Sequence, residues 1–98
     1  MPVGTFAVGY EFTPNNWGLN SGNGWRTASF PIKFTEDFSN PPQVVVAING
    51  LDVGNQANTR VQVQAQDITR TGFTLVVIAW GDTVLYSVWG MWYAELDE

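Results

Sequence analysis

Apolar and polar residues alternate along much of this chain, and this alternation limits what it can fold into. In the segment 60–68, Val61, Val63 and Ala65 alternate with glutamines, and no long segment has the spacing of an amphipathic helix. Alternation with period two places apolar side chains on one face of a β-strand and polar ones on the other. We therefore expect an all-β fold of antiparallel strands.

Six strands follow from this pattern, and turn residues separate them. We expect the strands within 4–12, 26–34, 43–49, 60–68, 72–80 and 84–94. The predicted turns lie at 49–50, 54–55, 69–72 and 81–82, and Gly81 stands where a tight hairpin needs a glycine. Many short strands, close turns and no helix predict a β-sandwich or a small barrel. The length of 98 residues suits one domain over 1–98.

The segment 13–24 differs from the rest because it is rich in asparagine, glycine and serine and cannot hold a regular strand. It is long for a connection in a compact domain. Long irregular connections are often binding loops. We therefore regard 13–24 as a candidate binding loop.

Charge and composition exclude several classes of function. The net charge is −5, and the four basic residues are scattered along the sequence. Nucleic acids and acidic membranes attract clustered Lys and Arg, so neither is an expected partner. No stretch approaches the roughly 20 apolar residues of a membrane span, and we expect no membrane insertion. The N-terminal residues lack the pattern of a signal peptide. The location of the protein is therefore left open, and we favour a role outside the cell or at its surface.

The absence of cysteine and histidine limits the chemistry of this chain. It has neither residue, which removes Ser–His–Asp and Cys–His catalysis and the commonest metal ligands. Asp52, Asp82 and the pair at 36–37 lie at predicted strand ends and could serve a small glycosidase, but aspartate is also an ordinary turn residue. We expect no enzyme activity, no metal and no cofactor.

The predicted strands five and six are apolar on both faces, which points to self-association. An antiparallel sheet in a two-layer monomer needs to bury only one face. A second apolar face is most simply covered by another copy of the chain. The alternative is a barrel that tolerates aromatic residues on its outside.

Aromatic residues beside the turns suggest a sugar as ligand. Trp17 and Trp25 flank the long loop, and Trp80 and Tyr86 flank the turn at 81–82. A sugar has an apolar C–H face that packs on an aromatic ring and a rim of hydroxyls that bonds planar polar groups. Arg60 could supply the donor, with Asn23 or Asp82 as acceptor. The alternative is that these rings belong to the core.

Several short motifs occur along the chain in a definite order. They are Phe34 with Phe38-Ser39-Asn40-Pro41-Pro42-Gln43-Val44-Val45-Val46, Leu51-Asp52-Val53, Asn58-Thr59-Arg60-Val61, Thr71-Gly72-Phe73-Thr74, Trp80-Gly81-Asp82-Thr83, Tyr86-Ser87 and Trp92. In this order they resemble the H-type lectins, a family that includes snail agglutinins and the C-terminal domain of slime-mould discoidins. The resemblance covers about residues 26–94. It implies a six-stranded antiparallel β-sandwich that forms a parallel trimer and binds galactose or N-acetylgalactosamine where protomers meet.

The resemblance also implies roles for individual residues. Arg60 would bond sugar hydroxyls, Trp80 would lie against the sugar, and Tyr86 would complete the pocket. Gly81 stands where the snail proteins have a histidine near the acetamido group. Asn23 falls near the position where a neighbouring protomer contributes an aspartate.

Together these observations predict a noncovalent homotrimeric lectin, whose trimers could pair into hexamers, with glycans as its partners. The predicted sugar-binding residues are Arg60, Trp80, Gly81, Asp82, Tyr86 and Asn23. The alternative is a structural trimerisation module, for example of a phage tail or another fibre, that keeps the fold with a degenerate site. A small glycosidase ranks third.

Overall fold

Six antiparallel strands form two three-stranded sheets in the computed structural model, which describes residues 2–96. The strands are β1 (Val3–Gly9), β2 (Arg26–Lys33), β3 (Gln43–Val53), β4 (Val61–Gln66), β5 (Gly72–Ala79) and β6 (Leu85–Glu95). One sheet has the order β1-β6-β3 and the other β2-β5-β4. The predicted all-β sandwich is confirmed. Residues 1, 97 and 98, which the predicted domain includes, lie outside the described residues.

The core lies between the two sheets and is built mainly on their central strands. Leu75 and Val77 of β5 face Leu85 and Val88 of β6, and all four are 0% exposed. Fully burying one such aliphatic side chain contributes about 1.5–3 kcal/mol. The predicted inward faces of β2 and β4 also pack on this core, as the alternation required.

Strand β3 is longer than predicted, because Asn49 and Gly50 do not form a turn. Pairing with β6 continues from Gln43 to Val53, and a register shift between Ile48 and Gly50 accommodates the extra residue. Such a bulge keeps a strand paired where a turn signal would otherwise end it. An Asn-Gly dipeptide can lie in a turn or in a bulged strand, and here the pairing with β6 determines which of the two forms.

The turn at Gly81 and Asp82 exists, but the prediction of a hairpin there is wrong. Gly81 has φ +67°, and the Thr83 amide donates to the Trp80 carbonyl at 3.5 Å. The chain leaves β5 in one sheet and enters β6 in the other. Each of these strands already has partners on both sides, so neither offers an edge to the other.

The outer face of the β1-β6-β3 sheet carries an apolar surface, which we call the apolar face. Strand alternation places Trp89, Met91 and Tyr93 opposite the core-facing side chains of β6, and Met91 is 45% exposed. The flanking strands extend three rows across the sheet: Val3, Tyr93 and Val45; Thr5, Met91 and Ala47; and Ala7, Trp89 and Gly50. One part of the predicted second apolar surface is therefore present.

The outer face of the β2-β5-β4 sheet, the polar face, is different. Val76 and Ile78 of β5 point away from the core, yet they are only 5% and 2% exposed in the isolated chain. The neighbours in their rows are polar: Thr27 and Gln62 beside Ile78, and Ser29 and Gln64 beside Val76. The outer side of β5 is therefore already covered in the isolated chain, and this part of the predicted second apolar surface does not call for another copy.

The connection between β1 and β2 is irregular, as predicted, and is fastened to the sandwich. A short 3-10 helix spans Pro14–Asn16, and Leu19 enters the core at 1% exposure. The Leu85 amide donates to the Leu19 carbonyl at 3.0 Å. Within residues 2–96, no helix is long and apolar enough to cross a membrane.

Candidate functional site

One end of the sandwich brings the long loop beside the turn between β5 and β6. The Gly24 amide donates to the Gly81 carbonyl at 2.9 Å, and Asn23 precedes this contact with an exposed side chain. Gly24 has φ +79°, a conformation that glycine adopts without steric cost. The structure therefore places Asn23 and Gly81 at the same end of the molecule.

Arg26 ties the loop to this turn. Its guanidinium donates five hydrogen bonds, all to backbone carbonyls, namely those of Leu19, Ser21, Gly24, Gly81 and Thr83, at 2.7 to 3.3 Å. Arginine has five N–H donors in a rigid fork, so the whole group is engaged. Sequence reasoning missed this role, because it depends on contacts between segments about 55 residues apart.

Thr83 extends the same network to Arg60. Its hydroxyl donates to the Asn58 carbonyl at 2.6 Å and accepts the Arg60 backbone amide at 2.9 Å. Thr83 is 1% exposed, which shields these bonds from water. Arg26 and Thr83 thus fix the position of the Arg60 backbone relative to the turn at Gly81 and Asp82. A threonine after Gly-Asp carries no local signal of this role.

The side chains of Arg60 and Asp82 meet over Gly81. Arg60 Nη1 lies 3.5 Å from Asp82 Oδ1, with the two side chains 39% and 60% exposed. A Cβ on Gly81 would lie 3.1 Å from the same Nη1 atom. An exposed pair of this kind contributes only about 0–1 kcal/mol to stability. Both groups therefore remain accessible to a ligand.

Trp80 directly precedes the turn at Gly81 and Asp82, and its ring stacks on Trp25. The ring centroids are 5.8 Å apart, with an interplanar angle of 27°. Trp17, the other tryptophan of the loop, donates its indole N–H to the Leu85 carbonyl at 3.0 Å and packs near Phe30. Trp17 is therefore a structural residue, whereas Trp25 and Trp80 form an aromatic surface.

Tyr86 stands apart from this group. It is 40% exposed and lines two grooves. One is shared with Tyr10, Glu11, Asp52 and Ser87, and the other with Gly54, Asn55, Gln56 and Val84. Neither groove is lined by Arg60 or Trp80. Of the six predicted residues, the structure brings Arg60, Gly81 and Asp82 into contact, with Trp80 and Asn23 adjacent.

The acidic residues do not form a metal site in the part of the chain that the structure describes. Residues 2–96 contain no group of three or more His, Cys, Asp or Glu side chains that could hold an ion. Asp82 contacts Arg60, and Asp52 lines the separate groove at Tyr86. What the end of the sandwich offers is a planar donor, a carboxylate acceptor and two stacked rings.

A β-sandwich with this arrangement at one end has the features of a lectin domain, and comparison with known families gives the same class. Residues 29–94 match the H-type lectin domain. The chain belongs to the H-type lectin family.

Similar proteins come from Dictyostelium discoideum and Fuscovulum blasticum. One of the discoidin-1 polypeptides of Dictyostelium discoideum is 35% identical over 78 residues, which cover 79% of this chain and 31% of that protein. The ATP synthase subunits region ORF 7 of Fuscovulum blasticum is 35% identical over 74 residues, covering 76% and 64%. The solved structure of recombinant discoidin II of Dictyostelium discoideum superposes with a TM-score of 0.83 at 28% identity, covering 98% and 36%. This chain thus spans only about a third of the discoidins.

Proposed function

We propose that this chain is a noncovalent homotrimeric lectin that binds galactose- or N-acetylgalactosamine-type sugars where protomers meet. The observation that carries the proposal is the accessible pair of Arg60 and Asp82 at the turn that directly follows Trp80 in the chain. Thr83 fixes the backbone on both sides of the pair. A site held in this way loses little freedom when the ligand binds.

The chemistry of the group suits a neutral sugar. The guanidinium of Arg60 can donate two parallel bonds to neighbouring hydroxyls, as an ammonium cannot. Asp82 accepts from a hydroxyl, and an indole covers the apolar C–H face. A millimolar sugar site is worth only about −4 kcal/mol. Useful binding to a glycan-covered surface then depends on several sites acting together.

Trimer formation is supported by the apolar face. Val3, Val45 and Met91 are 64%, 46% and 45% exposed there, in adjoining rows of one sheet. Large contiguous apolar patches on soluble proteins usually mark interaction sites. The side chains at 21–25 are all exposed, which allows Asn23 to reach a neighbouring protomer. Tyr86 is predicted to complete the pocket at the junction, although the grooves that it lines within one protomer do not include Arg60 or Trp80.

The proposed site should discriminate only weakly between galactose and N-acetylgalactosamine. Gly81 has no side chain to contact an acetamido group, and Asn23 offers a neutral amide in place of a carboxylate. A charge-assisted hydrogen bond is commonly about twice as strong as a neutral one. We therefore expect similar affinities for galactose and N-acetylgalactosamine.

A glycan array followed by calorimetry tests this function. Arg60→Ala should lower sugar affinity by about 1.5–3 kcal/mol, the usual worth of a charged hydrogen bond, while light scattering still reports a trimer. Arg60→Lys should restore little, and Trp80→Phe should bind better than Trp80→Ala. If Arg60→Ala leaves affinity unchanged and Trp80→Ala lowers only the melting temperature, the site is wrong.

A structural trimerisation module is the second candidate. It is favoured by the prominence of the apolar face and by Gly81 and Asn23, which replace the histidine and aspartate of the family resemblance. An intact trimer that binds nothing on the array would support it. Turnover of a nitrophenyl glycoside, or agglutination that EDTA abolishes and calcium restores, would contradict the proposed absence of catalysis and metal.

A further inference from the structure

Trp25 is an aromatic residue that the proposed site does not yet use. It is 65% exposed, more than any other large hydrophobic residue within 2–96. Aromatic side chains dominate the energetics of cores and interfaces when they are buried. Leaving an indole in water is therefore unfavourable unless a ligand or partner covers it.

The stack with Trp80 engages one side of the Trp25 ring. A centroid distance of 5.8 Å at 27° is an offset stack, in which the two rings overlap only in part. Because Trp25 is 65% exposed, the other side of its ring is available to a ligand. The aromatic surface thus continues beyond Trp80 and ends at Trp25.

Hydrogen bonds made by the residues before and after Trp25 fix its position in the chain. Gly24, just before it, donates to the Gly81 carbonyl, and Arg26, just after it, donates five hydrogen bonds to carbonyls. Strand β2 also begins at Arg26 and pairs with Ala79 of β5. A ring positioned in this way costs little entropy to immobilise on binding.

The surroundings of Trp25 favour a neutral, hydroxyl-rich ligand. The segment 13–25 contains no charged residue, and Ser21 and Asn23, which precede Trp25 in the same loop, are exposed. A single ring in a polar loop is also far smaller than the apolar patch that a protein partner needs. A sugar residue, with one apolar face and a hydroxyl rim, matches this setting.

We propose that Trp25 is a second stacking platform, so that the site takes a neutral oligosaccharide of at least two sugar residues. This inference rests on the proposed lectin function. The terminal galactose-type residue binds Arg60 and Asp82 beside Trp80. The next residue of the glycan packs on the free face of Trp25.

Calorimetry with a monosaccharide and with disaccharides tests the proposal on the intact assembly. The probes are methyl galactoside and a panel of disaccharides that end in galactose through different linkages. At least one disaccharide should bind the natural protein about tenfold more tightly than methyl galactoside, which corresponds to about 1.4 kcal/mol. Trp25→Ala should abolish this gain, and its effect on methyl galactoside, which it can exert only through the contact of Trp25 with Trp80, should be clearly smaller than its effect on the disaccharide.

Two matched variants separate stacking from general hydrophobic contact. Trp25→Phe keeps a flat ring and should keep most of the disaccharide gain. Trp25→Leu is apolar without a ring and should lose it. A melting curve and light scattering on each variant show whether the fold and the assembly are intact.

Four results would overturn the second platform. They are an equal loss for both ligands in Trp25→Ala, a full gain in Trp25→Leu, dissociation of the assembly by Trp25→Ala, or no disaccharide gain in the natural protein. If the natural protein binds methyl galactoside without such a gain, the lectin function stands and only the second platform fails. If it binds no sugar of any length, both fail.

Discussion

The outer faces of the two sheets both carry apolar residues on their central strand, but only one of them is covered. Ile78 on the polar face is 2% exposed, whereas Met91 on the apolar face is 45% exposed. Each lies in a central strand with a partner on either side. The difference must therefore come from the side chains beside them.

The neighbours in each row explain the contrast. Ile78 lies between Thr27 and Gln62, and the long side chain of a glutamine can lie over it. Met91 lies between Thr5 and Ala47, which are too short to cover a methionine. An apolar residue on an outer face thus does not by itself require a partner. The length of the flanking side chains decides.

Charging the apolar face should have the largest effect. Met91→Glu should dissociate the proposed trimer, since three carboxylates would be buried without partners. The fold of the protomer should survive, because Met91 is outside the core. Gln64→Glu is the matched control on the polar face and should leave the assembly intact. Light scattering at micromolar concentration measures both, and a trimeric Met91→Glu would remove the apolar face as the interface.

Shortening a buried side chain on the polar face should lower the stability of the protomer itself. Ile78→Ala removes a side chain that is buried in a single chain, so it should lower the free energy of unfolding by about 2–5 kcal/mol. Met91→Ala should change protomer stability little. Denaturant unfolding measures Ile78→Ala in the background of Met91→Glu, and Met91→Ala at a protein concentration low enough to dissociate the assembly, so that both are compared as monomers. Similar losses at the two positions would mean that burial in the isolated chain does not distinguish them.

The sequence predicted some of this contrast but not all of it. Alternation assigned the inward faces of the strands, since period two depends only on local geometry. It did not show that β5 and β6 lie in different sheets, because Gly81 and Asp82 mark a turn without specifying where it leads. The order of the motifs and the positions of the predicted strand ends indicated that Arg60, Trp80 and Asp82 belong to one site. The bonds of Arg26 and the stack of Trp25 on Trp80 join distant segments and left no local pattern.

Changing the residues that flank Met91 and Val76 should have the smallest effect. It tests directly whether the length of the flanking side chains determines how exposed an outer apolar residue is. Ala47→Gln places a long polar side chain beside Met91 and should weaken assembly by about tenfold, equivalent to about 1.4 kcal/mol. Gln64→Ala uncovers Val76 and should lower stability by no more than about 1 kcal/mol. Sedimentation and thermal melting measure these changes. Stronger assembly of Ala47→Gln would contradict the role given to side-chain length.

The left-handed backbone of Gly81 limits how the site can evolve. A histidine there would adopt φ +67°, which costs an L-residue roughly 1–2 kcal/mol. Its Cβ would also lie 3.1 Å from Arg60 Nη1, so the guanidinium would have to shift by a few tenths of an ångström. A side chain at this position therefore requires an adjustment of Arg60 as well as a strained turn. Single substitutions at 81 are a poor route to a new sugar preference, and library designs should vary 60, 81 and 82 together.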